Sequence, residues 1–366
     1  MSQAPERPAE QGFELDVPDV GDPVPCFGFQ ADTMSPEDNA AAWREAVGTL
    51  FEVDELAWGE LGPFRADLVS YALGPVVLGA TRASSQRFRR TPETIARSGV
   101  DHVIVQLYTS GGYDGVAGNR PMQVRAGDIC VFDLAQTLET RATAFANVTL
   151  VIPRPRMEAC LSHPEALHGL VLPGTNVAAA LIGRHLQALI ELAPAMTLAD
   201  CAPVIEGSVG LIAACLRAEM DPPDSRAVAG EADLLIRIKR QIEGHLGDPG
   251  LSGASVARHF GLSRSTLYRL FTPYGGVAAY VRSRRLHRAF FELTAPGARV
   301  KEVARRWQLG SSEVFNRSFK AAYGITPRMA RSASALAAEG RHANDDAPRS
   351  QLSRWMRSMG APSRTP

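Results

Sequence analysis

The chain has 366 residues, equal numbers of basic and acidic side chains and 45% hydrophobic residues, which is enough for two domains with separate cores. Five cysteines at 26, 130, 160, 201 and 215 form no CxxC pair and no regular framework, which excludes a disulfide-stapled scaffold and suits a reducing cytoplasm. No apolar run approaches the ~18 residues of a membrane span and no charged-then-apolar leader opens the sequence, so neither a span, a signal peptide nor a membrane partner is expected. The zero net charge conceals a division. Residues 231–331 contain 18 Lys and Arg against 7 Asp and Glu, net +11, whereas residues 1–230 contain 16 against 29, net −13. A basic segment of this kind suits a phosphate-rich polyanion, which would repel the acidic remainder.

In chain order, residues 1–36 are rich in Pro, Glu, Asp and Gln and are expected to be disordered. Residues 37–220 read as one domain. An amphipathic helix over 38–53 places Trp43, Val47, Leu50 and Phe51 on one face. From Phe64 to about Ile152 the period becomes strand-like, with runs at 67–81, 101–109, 122–132 and 137–152 broken by Gly111-Gly112, Gly115, Gly118-Asn119 and Gly127-Asp128. Several short strands at this spacing predict a small antiparallel β-barrel or jelly roll. Helical spacing returns at 157–161, 176–192 and 198–219, with apolar stripes that either cap the barrel or pair with a second copy.

The histidine inventory bears on metal chemistry. His102 stands alone between residues 1 and 162, so a three-nitrogen metal site cannot be assembled in the barrel, and no metal, cofactor or catalytic residue is expected. Arg87, Arg89 and Arg90 beside Ser84 and Ser85 suit an anionic ligand through bidentate guanidinium contacts. Arg87 and Arg89, with His102, are the candidate ligand-binding residues.

The stretch 221–230 is a hydrophilic, Pro-containing linker. Beyond it one pattern is written twice: Val256-Ala257-Arg258-His259-Phe260-Gly261-Leu262-Ser263 is echoed by Val303-Ala304-Arg305-Arg306-Trp307-Gln308-Leu309-Gly310-Ser311, with one extra residue in the turn. Each copy reads as a helix, a Gly-containing turn, and a second helix N-capped by Ser263 or Ser311. That is a helix-turn-helix, an all-α unit whose second helix can enter a major groove. Ser265, Tyr268 and Arg269, and Ser312, Glu313, Asn316 and Arg317, face outward, opposite Leu267, Leu270 and Phe271 and opposite Val314, Phe315, Ser318 and Phe319. Residues 277–293, with Arg282, Arg284, Arg285 and Arg288, form one connecting helix of roughly 25 Å. Such a rod holds two recognition helices near the ~34 Å spacing of successive grooves. The tail 332–366 is expected to be disordered apart from a short helix near Trp355.

The run Arg317-x-Phe319-Lys320-x-x-x-Gly324-x-Thr326-Pro327 within residues 231–331 resembles the AraC/XylS-type DNA-binding domain. The stretches Phe88-Arg89-Arg90-Thr91-Pro92, Gly127 to Asp133 and Val151-Ile152-Pro153-Arg154 resemble the cupin-like sensor domain found before some such domains. The expected fold is therefore α+β, an N-terminal cupin-like barrel with helices plus a C-terminal all-α domain of two helix-turn-helix units. The resemblance places Ser265, Tyr268, Arg269, Ser312, Glu313 and Arg317 where family members contact bases. Arg264, Arg282, Arg284, Lys320 and Arg328 are the candidate phosphate contacts, and Ser263 and Asn316 complete the candidate DNA-binding set. It implies a cytoplasmic transcription regulator, not an enzyme, with double-stranded DNA, a small-molecule effector, a second copy of itself and, if an activator, RNA polymerase as partners. Two other readings stand beside it: a constitutive DNA-binding protein whose barrel only dimerises, and a cupin-type enzyme fused to a DNA-binding module.

Overall fold

The protein is described here from a computed structural model covering residues 21–54, 62–161, 164–220, 229–295, 297–342 and 351–359. The disorder expected for residues 1–20 and the linker at 221–228 lie outside the described residues. Twelve strands build the N-terminal half. In chain order they are β1 (Cys26–Phe29), β2 (Glu52–Asp54), β3 (Ala66–Leu73), β4 (Val76–Ala83), β5 (Gln86–Arg90) and β6 (Val103–Ser110). There follow β7 (Gly112–Ala117), β8 (Arg120–Arg125), β9 (Ile129–Asp133), β10 (Leu138–Ala142), β11 (Phe145–Ile152) and β12 (Leu170–Leu172). They form a seven-stranded sheet, β1-β3-β4-β11-β6-β9-β12, and a five-stranded sheet, β2-β5-β10-β7-β8. The two sheets face each other across a shared core that includes Leu68, Ile104 and Phe132 from one and Tyr113, Val124 and Leu138 from the other. The barrel is thus an open pair of sheets.

The helices of this half are α1 (Pro36–Val47), α2 (Pro92–Ser98), α3 (Arg154–Glu158), α4 (Val177–Leu192) and α5 (Leu198–Met220). Ser35 caps α1, and Trp43 and Ala46 bury its inner face between the sheets. The stretch 38–53 is therefore a helix followed by a strand. The long runs divide: 67–81 is the hairpin β3–β4, whereas 122–132 and 137–152 each pass from one sheet to the other, as β8 and β9 and as β10 and β11. Of the glycines that read as breaks, Gly112 and Gly115 lie inside β7, while Gly111, Gly118 and Gly127 turn the chain at positive φ. A Cβ on Gly115 would stand 2.3 Å from the Glu139 carbonyl oxygen, so glycine there permits close strand approach. Residues 21–36, expected to be disordered, carry β1, which pairs antiparallel with β3 and places Cys26 opposite Tyr71.

Outside the seven-stranded sheet, α4 and α5 lay Ile182, Leu186, Ile205, Val209, Ile212 and Leu216 over Leu78, Val105, Val131 and Leu150. Helix α5 is long and apolar enough to cross a bilayer by length and composition; its inward residues belong to this core.

The C-terminal half comprises α6 (Ala229–Gly244), α7 (Gly253–His259), α8 (Arg264–Leu270), α9 (Val277–Leu293), α10 (Val300–Arg306), α11 (Ser312–Tyr323) and α12 (Pro327–His342). The first unit closes around Ile238, Ile242, Val256, Leu267 and Phe271, and the second around Phe290, Val303, Phe315 and Phe319. The Phe290 and Phe319 rings stack with centroids 5.5 Å apart. The tail expected to be disordered is in part helical. Helix α12 runs to His342, and α13 (Gln351–Ser358) returns to the N-terminal half, where Leu352 and Met356 join the core between the sheets.

The two halves are docked on α9. Ile95 and Ala96 of α2 enter the apolar core of the second helix-turn-helix unit. Beside them lies an ionic seam. Arg284 has 12% of its side chain exposed, with Nη2 2.9 Å from Glu158 of α3 and Nε donating to Glu243 of α6. Burial pushes the Glu158 carboxyl above its ordinary range despite Arg284. Glu243 is held below that range because Arg284 and Arg288 together outweigh burial. The difference follows from geometry: Glu243 accepts hydrogen bonds from both arginines, whereas the Glu158 contact is ionic without one.

A second pair reinforces the seam. His287 Nε2 lies 3.0 Å from Asp101 Oδ2. Burial, aided by Arg284 and Arg154, pushes the His287 imidazole down to about 4, against the pull of Asp101. Burial would raise Asp101, yet the His287 hydrogen bond and Arg154 hold its carboxyl far below the usual range. Both folded-state values are depressed, so the closed seam binds protons less readily than the open one. Its stability is full above the imidazole's ordinary 6.5 and declines as pH falls toward 4, by roughly 3 kcal/mol from the imidazole alone. The domains should therefore separate as the pH is lowered across that window, as read by small-angle scattering. His287→Gln should flatten the profile, and a variant that opened like the native chain would remove His287 as the cause.

Candidate DNA-reading face and interior cavity

Each helix-turn-helix unit is set by local chemistry. Ser252 and Ser255 form a capping box on α7, and Ser263 caps α8 by accepting from the Thr266 amide at 3.1 Å. Ser311 does the same for α11 through the Val314 amide at 3.4 Å. These contacts fix where each second helix starts. Gly261 and Gly310 take φ values of +63° and +81°. Gln308 stands where Gly261 does in the first turn and adopts φ +53° without being glycine, a conformation uncommon for a residue with a Cβ; the extra residue of the second turn is Gly310.

The recognition helices present the expected faces. Leu267 and Leu270, and Phe315 and Phe319, point inward, while Arg264, Ser265, Tyr268, Arg269, Ser312, Glu313, Asn316, Arg317 and Lys320 are exposed. Arg328 is exposed on α12. Arg269 is engaged within the chain, its guanidinium straddling the Glu231 carboxylate with Nη1–Oε2 at 2.8 Å. Arg282 donates to Ser318 Oγ and so stands against the second recognition helix.

Arg284 is a correction. It was expected to meet phosphate, but its guanidinium lies between two carboxylates in the domain seam. The repeating arginines of α9 point to different faces of the helix: Arg282 outward, Arg284 to Glu158 and Glu243, and Arg285 to the carbonyls of Leu246 and Asp248 at 2.8 and 2.9 Å.

Between the sheets lies a cavity of about 110 Å³. Trp43, Phe51, Phe88, Phe132 and Phe145 give it aromatic walls, and Leu352 and Met356 of α13 line it too. Its polar groups include Gln106, Thr140, Asn147 and Thr149, with the phenols of Tyr108 and Tyr113. Among the described residues no charged side chain lines it. Gln106 Nε2 donates to Thr149 Oγ1 at 2.9 Å, whereas the buried Tyr113 Oη makes no well-formed hydrogen bond and has only the Cys130 thiol, a weak partner, beside it. Burial drives the Tyr113 pKa far above its ordinary value, so the phenol stays protonated and able to donate. An orphaned buried hydroxyl costs about 1–3 kcal/mol.

The residues first assigned to ligand are elsewhere. Arg87 pairs with Glu139 and Arg89 with Asp54 at 2.7 Å, all on the five-stranded sheet and none lining the cavity. Arg90 is buried, and it donates to the carbonyls of Leu134, Leu50 and Val100 and to Ser98 Oγ. Burial lowers its pKa to about 9, so it remains charged at neutral pH. His102 is also buried outside the cavity lining, with Nε2 2.6 Å from the Met356 carbonyl oxygen. The arginine cluster is thus a network of strand pairing and loop anchoring. Tyr113, Gln106 and Asn147 were missed because they sit on strands, where alternation tells inside from outside but not wall from cavity. The Leu352/Met356 pair at i, i+4 was the available sign that α13 docks.

Comparison with known proteins gives two domain matches, an AraC-binding-like domain over residues 43–217 and a helix-turn-helix domain over residues 256–333. The transcriptional activator NphR of a Rhodococcus species is 23% identical over 294 residues, 79% of this chain and 88% of its own. The right origin-binding protein of Escherichia coli is 35% identical over 101 residues, and the chain spans a third of its length. Among solved structures, the AraC-like transcriptional activator CuxR superposes with a TM-score of 0.50 at 26% identity, covering 72% of this chain and 95% of that one. The HTH-type transcriptional activator AarP of Providencia stuartii is 32% identical over 103 residues, 28% of this chain and 76% of its own. With that match standing on the repeated helix-turn-helix geometry, and the sensor-side match extending over the facing sheets, the chain belongs to the AraC family of transcription regulators.

Proposed function

We propose that this regulator is controlled by an uncharged, largely apolar effector held between the two sheets. The observation that carries this reading is an aromatic-walled cavity that includes the Tyr113 phenol, whose hydroxyl makes no well-formed hydrogen bond, and that has no charged side chain in its lining among the described residues. A neutral molecule carrying one acceptor oxygen satisfies that donor, whereas a carboxylate there meets no cation and is not stabilised. The anionic effector expected from Arg87 and Arg89 is replaced by a neutral one. Ser263, Ser265, Tyr268, Arg269, Ser312, Glu313, Asn316 and Arg317 read bases in two successive major grooves, and Arg264, Arg282, Lys320 and Arg328 hold the backbone. The exposed Val177, Leu181 and Leu192 of α4 form a surface for a second copy in a homodimer. NphR and AarP are both named as activators, which favours an activator that recruits RNA polymerase in the cytoplasm.

Two measurements test these assignments. Acetophenone and ethylbenzene have similar shapes, but only the ketone accepts a hydrogen bond. The ketone should raise the melting temperature of the native chain more, and Tyr113→Phe should abolish that difference while itself stabilising the empty protein by about 1 kcal/mol. Equal shifts from both compounds in the native chain would discard Tyr113 as the recognition group. For DNA, Arg317→Ala should lose about 1–3 kcal/mol of discrimination between operator and scrambled duplex. Arg282→Ala should weaken both alike and reduce the slope of log affinity against log salt by about one. A uniform loss in both variants would mean that α11 anchors without reading.

A further inference from the structure

We propose that α13, the helix that follows the DNA-binding domain, is a displaceable plug of the sensor cavity and competes with the effector for the same apolar site. The inference rests on the cavity being the effector site. Leu352 and Met356, one turn apart, are buried at 6% and 4% exposure and complete the cavity wall. With them in place the remaining space is about 110 Å³, well below the roughly 300–1,000 Å³ of ordinary small-molecule pockets. An effector larger than a single ring needs the volume these side chains fill.

The attachment of α13 suits exchange. A helix of eight residues has no stability by itself, so its order comes from docking. Trp355 and Met359 pack against the same core, Ser353 Oγ lies 2.5 Å from Thr49 Oγ1 at the end of α1, and the Met356 carbonyl accepts from His102 Nε2 at 2.6 Å. These contacts bury a few apolar side chains and two hydrogen bonds, which a well-fitted ligand can replace.

The position of the plug also gives its release a consequence. His102 holds the plug, and the adjoining Asp101 grips His287 on α9. One dipeptide therefore touches the cavity plug on one side and the connecting helix of the DNA-binding domain on the other. Helix α12 meanwhile lies over Thr294, where Ser334 Oγ donates to the Thr294 carbonyl at 2.6 Å. Displacing α13 removes a covalently tethered clasp between the domains and takes the Met356 carbonyl away from His102, next to the residue that grips α9.

The test is a fluorescence titration with 1-aminoanthracene, a neutral ring system larger than the residual cavity, on the full chain. Leu352→Asp/Met356→Asp undocks α13 and should bind the probe at least tenfold more tightly than the native chain. Thr49→Cys/Ser353→Cys, oxidised to a disulfide, locks α13 in place and should bind at least tenfold more weakly than the same variant reduced. Equal or weaker binding after undocking, or no effect of the lock, overturns the plug and makes α13 a plain part of the wall. Failure of every form to bind, with melting transitions intact, instead overturns the cavity as a ligand site, and the plug falls with it.

Discussion

The structure depends on how one arginine is satisfied. Arg284 reaches from the connecting helix α9 into the space between Glu158 of the sensor and Glu243 of the first helix-turn-helix unit, and all three side chains are withdrawn from water. Desolvating a guanidinium and two carboxylates is expensive, and the arrangement persists only because each charge has a partner and Arg154 and Arg288 add theirs. Separating the domains while any of them stayed buried would leave an uncompensated charge. The consequence is a sensor docked against the one helix that both DNA-reading units share.

That docking explains why a sensor with no DNA-reading residue can matter to DNA binding. Helix α9 contributes Tyr280 and Val281 to the core of the first unit and Phe290 and Leu293 to the core of the second. Whatever moves α9 acts on both units at once. The sensor touches α9 through Asp101 and Glu158, and it touches the second unit through α2. The cavity wall and the seam are close in sequence as well as in space, since β6, which supplies Ile104 and Gln106 to the cavity, begins just after Asp101.

Much of this was legible in the sequence where the signal is local. The connecting helix runs from Val277 to Leu293 as read, and Ser263 and Ser311 cap the helices they were expected to cap. The exposed and buried residues of α8 and α11 separate as the 3.6-residue period requires. What escaped is what depends on distant partners. Arg284 looks like any arginine of a basic helix, and nothing near it announces Glu158. Arg87 and Arg89 look like an anion site until β2 and β10 bring Asp54 and Glu139 beside them. The tail reads as polar and small because its large apolar residues are few, yet four of them, Leu352, Trp355, Met356 and Met359, suffice to dock one short helix.

The direct test of the docked seam is a double-mutant cycle on Glu158→Gln and Arg284→Met, with stability of the full chain measured by thermal melting at neutral pH. Paired across the domain boundary, the two side chains should show a coupling energy of at least about 1 kcal/mol. The double variant should be little worse than Arg284→Met alone. Additive effects would contradict the account, because they would mean that sensor and connecting helix do not meet through this arginine.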